Sequence, residues 1–428
     1  MDSGSLKLFI PMRLIVQSRF FKFLTKFFCL FCVLTYVVIA VRDSVAYQFA
    51  SSEQRHFLER AVALDPTDAE YRNRLGYYFM FSERRPDFAV PMYESAVSLN
   101  PHIAEYWLDL ATAYSAIGAR RQQELALARA IEVEPRTPLI SREVAIAFFS
   151  LGDLQQAFRL FRVVLQTDPW ETEPMLTMCW QATHNLDAMN EVLPPVPSVH
   201  LAFLRLLVAE ENTEAAKKLW SRLIALSQPF DPELAAPYLD YLITQRQTAA
   251  ARAAWNELAR INADFRPYQS SPANLVVNGG FEQKLLNMGF DWRYENHPHV
   301  TLAWDSEQSH NGSRSLSITF DGEAILDTGV SQLIAVNANT RYSLRAYVKS
   351  DSLFAAHGPQ CIISDPDTKN SLLVTEETLG SSPWTQISGS FTTSPTTDLV
   401  SLKIMRAPGA GRITGKFWID DVILVTEQ

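Results

Sequence analysis

AVALDP (residues 61–66), AVSLNP (96–101), AIEVEP (130–135) and VVLQTDP (163–169) end on prolines at 66, 101, 135 and 169. The prolines are 35, 34 and 34 residues apart, so one unit repeats through the middle of the chain. Five positions before each proline stands Ala61, Ala96, Ala130 or Val164, and eight before it Leu58, Tyr93, Leu127 or Phe161. That i, i+3 spacing of a small and a larger apolar residue marks the buried face of a helix, which the proline then stops. The first half of each unit carries a second face. Trp107, Leu110, Ala111, Tyr114 and Gly118 recur as Ser141, Val144, Ala145, Phe148 and Gly152, and earlier as Leu75, Gly76 and Phe79. Each unit is therefore two helices. After Pro169 the pattern fades, yet Ala216, Trp220 and Leu223 return 35 residues later as Ala251, Trp255 and Leu258. Residues 50–262 are expected to form a helical array of about three clear units with degenerate ones around them.

These units resemble tetratricopeptide repeats, most fully over residues 104–169. Gln123 departs from the small residue that Ala89 and Ala157 keep at the corresponding place. The resemblance implies a superhelical solenoid whose concave face binds a partner protein. Polar residues of the first helices, Asn73, Asp109 and Arg142, would supply the contacts. Trp107, Tyr114, Phe148 and Phe161 are read as packing between helices.

At Pro267–Pro272 the helical period gives way to a linker placed at 263–273, and beyond it the chain alternates with period two. Leu316, Ile318 and Phe320 interleave with Ser315, Ser317 and Thr319; Tyr342, Leu344, Ala346 and Val348 interleave with Ser343, Arg345, Tyr347 and Lys349. Half-buried strands separated by Gly, Asn, Asp and Ser turns predict an antiparallel β-sandwich over 274–428, of jelly-roll type. The fold class is thus multidomain α + β: one transmembrane helix, an α-helical solenoid and an antiparallel jelly roll.

NLVVNGGFE (274–282), FDW (290–292), SHNGSRSLSI (309–318), VSQLIAVNANTRYSLRAYVK (330–349), PWTQISGSFT (383–392) and FWIDDVILV (417–425) resemble, in order and spacing, carbohydrate-binding modules of the galactose-binding-like superfamily. In that family the opening NGGFE and the closing IDDV lie together and often hold a structural calcium. Carried over, Glu282 and Asp421 would be carboxylate ligands to Ca²⁺ within a cage of backbone carbonyls. The alternative is that Glu282 caps a strand and Asp421 accepts hydrogen bonds in a turn. Such modules hold sugar rings on exposed aromatic faces flanked by hydrogen-bonding side chains, which makes Trp292, Arg293, Tyr294 and Trp304 the candidate polysaccharide contacts. Trp384 and Trp418, on strands shared with the family, are read as core. Many members of the superfamily bind proteins, so the fold leaves the ligand open.

From Phe27 to Val41 the chain reads FFCLFCVLTYVVIAV without a charge. Extended back to Phe20 the segment has 22 residues, with Lys22 and Lys26 placed to snorkel, enough to span a bilayer of ~30 Å. Residues 1–42 carry a net charge of +5 and the remainder −14. The prediction is a signal anchor over 20–42 with a basic cytoplasmic tail over 1–19 and the bulk of the chain outside the cytoplasm, periplasmic in a Gram-negative cell. The alternative is a cleaved leader, for which Ser44-Val45-Ala46 supplies small residues at −3 and −1.

The 428 residues, 47% hydrophobic and 20% charged with net charge −9, exclude a disordered chain and a nucleic-acid binder with a broad basic face. Four cysteines, two of them in the apolar run, make no disulfide framework. His297-Pro-His299 lacks a nearby third ligand, and no nucleophile elbow, phosphate loop or HExxH motif occurs. Repeats and module account for nearly every residue, so no catalytic residue is assigned and a non-enzymatic role is expected. The reading is a membrane-anchored envelope adaptor, its solenoid docking a partner protein and its module binding polysaccharide, in the manner of proteins that accompany exopolysaccharide synthesis or export. The alternative is a purely protein-binding scaffold. Because positive charge precedes Phe27, a reporter fused after Gln428 should be active outside the cytoplasm; activity confined to the cytoplasm would reverse the topology.

Overall fold

The computed structural model describes residues 19–52, 54–167 and 172–427. Residues 1–18 of the predicted cytoplasmic tail and the repeat terminus at Pro169 lie outside the described residues. The chain divides after residue 168 into two compact units.

The first unit is helical: α1 (Arg19–Ala50), α2 (Arg55–Leu64), α3 (Ala69–Tyr77), α4 (Pro86–Leu99), α5 (Ala104–Ala116), α6 (Arg120–Val133), α7 (Pro138–Ser150) and α8 (Leu154–Thr167). Lys22–Ala50 is long and apolar enough to cross a membrane, its most apolar 18-residue stretch having a mean hydropathy of 2.3. The helix runs eight residues past the predicted end at 42. Its last turns are held by packing, because Ala46 and Ala50 are buried with Ala61 and Tyr71. The −1 residue of the alternative cleavage site therefore lies inside a packed helix.

Hairpins α3/α4, α5/α6 and α7/α8 are the clear repeats of the sequence. The periodic positions face inward: Leu58 and Ala61 of α2 and, in these hairpins, Tyr93, Ala96, Leu127, Ala130, Phe161 and Val164 are all buried. Gly76 shows why one position must be glycine. A Cβ placed there would lie 2.8 Å from the buried ring of Tyr93, so α3 and α4 approach closely only without it. The turn between paired helices is also repeated. Gly118 and Gly152 adopt φ of +73° and +80°, and the following amides of Ala119 and Asp153 reach back to the carbonyls of Tyr114 and Phe148 at 2.9 and 3.0 Å. This is a Schellman cap, which leaves the left-handed residue to glycine.

The second unit opens with α9 (Thr172–Thr183), α10 (Met189–Val192), α11 (Pro197–Ala209), α12 (Thr213–Ala225), α13 (Ala236–Thr244) and α14 (Thr248–Ile261). Hairpins α11/α12 and α13/α14 use the same cap, Asn212 N to Leu207 O at 2.9 Å and Gln247 N to Leu242 O at 2.8 Å. Here Glu211 and Arg246 carry the positive φ, at 56° and 59°. Helical hairpins of the same kind thus recur in the second unit, where the sequence pattern weakens.

Among the described residues ten strands then form two antiparallel sheets: β1 (Trp292–Tyr294), β2 (Val300–Asp305), β3 (Ser315–Ala324), β4 (Asp327–Ala335), β5 (Arg341–Ala355), β6 (Gln360–Ser364), β7 (Ser371–Val374), β8 (Gly380–Thr392), β9 (Leu399–Met405) and β10 (Arg412–Thr426). One sheet has the order β1-β4-β9-β6-β7 and the other β2-β3-β10-β5-β8. Their inner faces share one core, including Trp292, Leu316, Ile318, Val330, Tyr342, Leu344, Ile363, Leu402, Phe417 and Leu424.

The predicted linker at 263–273 is not a free spacer. Phe265 and Tyr268 are buried, and Trp255 of α14 donates its indole N–H to the Tyr268 carbonyl at 2.8 Å. The same indole meets Phe290 edge-on with centroids 5.9 Å apart, and a Cβ on Gly289, at φ +52°, would strike its ring. Asp240 of α13 accepts the Gly289 amide at 2.9 Å and pairs with Arg293. The last hairpin therefore buries its face on the sandwich within one compact unit.

Two substitutions test this packing. Gly76→Ala should destabilise the first unit by about 1–3 kcal/mol in chemical denaturation, through forced displacement of Tyr93. Trp255→Ala should cost about 3–5 kcal/mol and expose the 263–273 segment to protease; an unchanged digestion pattern would mean that the indole does not hold the segment.

Candidate functional site

β1 and β2 are each the first strand of their sheet, so one side of the sandwich opens between two sheet edges. Tyr294, the last residue of β1, and Trp304 of β2 line one cavity of about 260 Å³ there, with Glu295, Asn296, His297 and Thr301. Trp304 lies opposite Leu316 and so points toward the core layer, but the edge leaves it 40% exposed. Two aromatic rings beside an amide, an imidazole, a carboxylate and a hydroxyl combine a stacking surface with directional hydrogen-bonding groups.

The other two predicted contacts lie elsewhere. Trp292 is fully buried, its ring 5.0 Å from Phe281 and its indole N–H donated to the Asn278 carbonyl at 3.1 Å. It is core, because position 292 faces the opposite sheet. Arg293 points to the other side of β1, where its guanidinium pairs with Asp240 and donates to the Gly289 carbonyl at 3.2 Å. It fastens the module to α13 and is not available to a sugar.

Glu282 and Asp421 do come together, around the loop that carries His310–Arg314. The first half of the contact is backbone. Asn274 holds Val422 and Leu424 through its side chain at 3.1 Å each, and the Val422 amide donates to the Gly279 carbonyl at 2.9 Å. A Cβ on Gly279 would lie 2.1 Å from the Val422 carbonyl oxygen, so only glycine permits the approach. Asn278, Phe281 and Asp421 all have positive φ, concentrating backbone strain at this clasp.

Its carboxylates are occupied by N–H groups. Glu282 accepts from the Ser313 amide at 2.7 Å, the Ser313 hydroxyl and the Arg314 amide, and these bonds hold its pKa below the usual carboxylate range against an opposing desolvation. Asp420 accepts the amides of His310 and Asn311 at 2.8 and 3.2 Å, and burial raises its pKa. Asp421 lies 2.5 Å from His310 Nδ1. A carboxylate oxygen of Asp420, one of Asp421 and the Glu282 Cγ all lie within 4 Å of a Cβ placed on Gly280. Among the described residues no group of three or more His, Cys, Asp or Glu side chains is placed to hold a metal ion.

The open face of the second sheet carries a cluster that the sequence patterns do not single out. His310 stacks on Tyr347 with centroids 3.5 Å apart and meets Trp384 edge-on at 5.9 Å. Trp384, read from sequence as core, is only half-buried on β8. Trp418 is buried, but beneath two cations, with Lys416 and Lys349 4.7 and 5.4 Å from its ring centroid. The outward parity of Tyr347 in RAYVK is the one signal for this face in the sequence.

In the helical unit Asn73 donates to Asp109 at 2.8 Å, and Arg142 pairs with Glu143 at 3.2 Å. Burial raises the Asp109 pKa, opposed by the Asn73 hydrogen bond. Of the three predicted contacts only Asp109 lines the groove between α5 and α7, about 460 Å³, together with Glu105, Glu143 and the exposed Leu139 and Ile146.

Residues 273–409 match the family described as carbohydrate binding domain, so the sandwich is a carbohydrate-binding-module domain following a helical array. No curated protein matches the chain. Among solved structures, one described as "CBM4 structure and function" is 13% identical, with 36% of this chain and 99% of that chain covered and a TM-score of 0.28. A "Family 16 Carbohydrate Binding Module-2" is 22% identical over 36% and 99%, with a TM-score of 0.27. The MamA protein is 14% identical over 44% and 91%, with a TM-score of 0.27.

Beside the cavity, Asp291 is fully buried with one carboxylate oxygen unpartnered among the described residues, and desolvation pushes its pKa to about 7 although the Leu286 N–H donates to it at 2.7 Å. A carboxyl whose pKa is raised on folding binds more protons folded than unfolded. Its stabilising contribution is therefore complete below pH ~4 and is lost as pH rises to 7. Asp291→Asn should remove a fall in stability on the order of 3 kcal/mol across that window, read from denaturation midpoints at pH 5 and pH 8.

Proposed function

We propose that this protein is a non-enzymatic, membrane-anchored adaptor of the cell envelope, whose C-terminal module binds polysaccharide and whose helical array docks a partner protein. The observation that carries the glycan reading is the pairing of Tyr294 and Trp304 in one opening between sheet edges, within a domain matching a carbohydrate-binding family. A sugar ring laid on either aromatic face would meet Asn296, His297 and Thr301 at its rim. The α5/α7 groove supports the docking role, since Leu139 and Ile146 give it an apolar floor and Glu105, Asp109 and Glu143 an acidic edge. A basic segment with apolar anchors complements that surface. The apolar α1 supports a membrane location, and the charge asymmetry before it supports a cytoplasmic N-terminus and an exported bulk. Participation in exopolysaccharide synthesis or export is the setting that this combination fits.

Calcium belongs to the same proposal. Glu282 and Asp421 would hold the ion with backbone carbonyls completing the cage, and its charge would tie the opening segment to the closing strand. Chelation should then lower the melting temperature of the chain, and Glu282→Ala should abolish that sensitivity. Equal melting with and without chelator would leave the N–H bonds to these carboxylates as the whole of the clasp.

The glycan reading is tested on an array of polysaccharides with the full chain in detergent. Retention should fall at least tenfold in Trp304→Ala and in Tyr294→Ala, with the Trp304→Ala melting temperature nearly unchanged because the ring is 40% exposed. Absence of retention by the unsubstituted chain across the array would favour the purely protein-binding scaffold.

A further inference from the structure

α14 and the sandwich do not close completely. Between them run two adjoining cavities, about 340 and 600 Å³, that share Arg252 and Asn256 on the helix and Ala335, Val336 and Asn337 on the sandwich. Arg252 and Asn256 are one helical turn apart and exposed, and among the described residues no hydrogen bond or ion pair engages the Arg252 guanidinium. Thr248, one turn earlier, lines the same cleft; it is only 5% exposed, and its buried hydroxyl has no hydrogen-bond partner among the described residues. A buried hydroxyl left unpaired is unfavourable, so its presence on a cavity wall is what a polar ligand would correct.

The opposite wall is a sheet edge. β1 pairs with β4 only at Val330, Ser331 and Gln332, so among the described residues β4 runs on through Leu333 to Ala335 without a neighbour on that side. Asn337, exposed at the end of that edge, adds a side-chain amide. The cleft therefore offers an unpaired cation, the carboxylate of Asp398, two amides, a hydroxyl and a strand edge over an apolar floor that includes Phe290. An uncharged groove would suit a peptide or a neutral sugar equally. Asp398 lines only the larger cavity, whereas the unpaired guanidinium lines both, so away from Asp398 the guanidinium selects a carboxylate, and the surrounding donors and acceptors select ring hydroxyls.

We infer that the seam between α14 and β4 is a second saccharide subsite, built jointly by helical array and module, for a uronate-containing polysaccharide whose carboxylate pairs with Arg252. This rests on the carbohydrate-binding reading above but makes the last hairpin part of the recognition surface. A carboxylate would take the guanidinium fork while ring hydroxyls bond Asn256, Asn337 and the Thr248 hydroxyl.

The full chain in detergent is passed over immobilised polygalacturonate and over the same polymer with its carboxylates reduced to alcohols. Retention should be at least tenfold greater on the acidic polymer and should fall about tenfold in Arg252→Ala and in Asn337→Ala, one from each wall. Thr248→Val, which keeps the side-chain shape, should lower retention while leaving the melting temperature equal or higher, a combination that a merely structural hydroxyl would not give. Equal retention of wild type on both polymers, no retention of wild type on polygalacturonate, or unchanged retention of Arg252→Ala would each overturn the subsite. Loss confined to Tyr294→Ala and Trp304→Ala would also overturn it while upholding the edge cavity, and failure of the edge cavity is read separately from those two variants.

Discussion

A helical hairpin cannot bury its own apolar face, and most of this chain is organised by that constraint. Each pair of helices needs a neighbour to cover it, so repetition is at once the sequence pattern and the source of stability. At the end of the array the need remains, and a different kind of structure meets it. Trp255 of the final hairpin is covered by Phe265, by Phe290 and by the bare backbone of Gly289, and Asp240 of the same hairpin fixes Arg293 of the first strand. The module is thus the cap of the second unit's helices as well as a domain with its own core.

That arrangement changes how the module's chemistry is distributed. Arg293 has the residue type of a sugar contact and stands beside Tyr294, yet alternation along β1 sends the two side chains to opposite sides. One serves the opening between sheet edges and the other serves the attachment to α13. The clasp at Asn274–Glu282 and Asp420–Val422 joins the opening segment of the module to its closing strand. Glycines at 279 and 280 bring the backbone of the opening segment against the closing strand, and the carboxylates Glu282, Asp420 and Asp421 gather the 310 loop through its amides and the His310 ring. His310, positioned by that clasp, lies flat on Tyr347 of the adjoining sheet face.

Buried polar groups mark where the fold is rigid. Arg406 is wholly buried, and its guanidinium donates to the carbonyls of Ile325, His357, Ala410 and Gly411, knitting loops that no strand ladder reaches. In the first unit the Tyr106 hydroxyl donates to Glu70 and Asn73 to Asp109, each bond joining first helices of successive hairpins at a spacing of 36 residues. Residues that the repeat pattern suggested for partner contact are therefore partly spent on holding repeats in register. The groove's remaining chemistry comes from their neighbours Glu105, Leu139 and Ile146, with Glu143 paired to Arg142.

The helical units are legible in the chain through their period, the change to strands through alternation, the apolar first helix through its run of uncharged residues, and the meeting of NGGFE with IDDV through resemblance. These are local or repeated signals, and they survive without knowledge of what packs on what. The continuation of the array through Glu211 and Arg246 was harder to see, because the left-handed cap there is made without glycine. Which aromatic residues are free was settled by tertiary packing. Trp292 and Trp304 both lie early in the module, but one faces the opposite sheet and the other sits at an open edge. Trp384 stands out of phase with the buried Ile387 and Phe391 of β8 and emerges beside His310, and Arg252 has no hydrogen bond or ion pair among the described residues although Asp398 lines the same cleft. Burial and pairing across long sequence separation set these outcomes, and neither is encoded in the period of a single strand or helix.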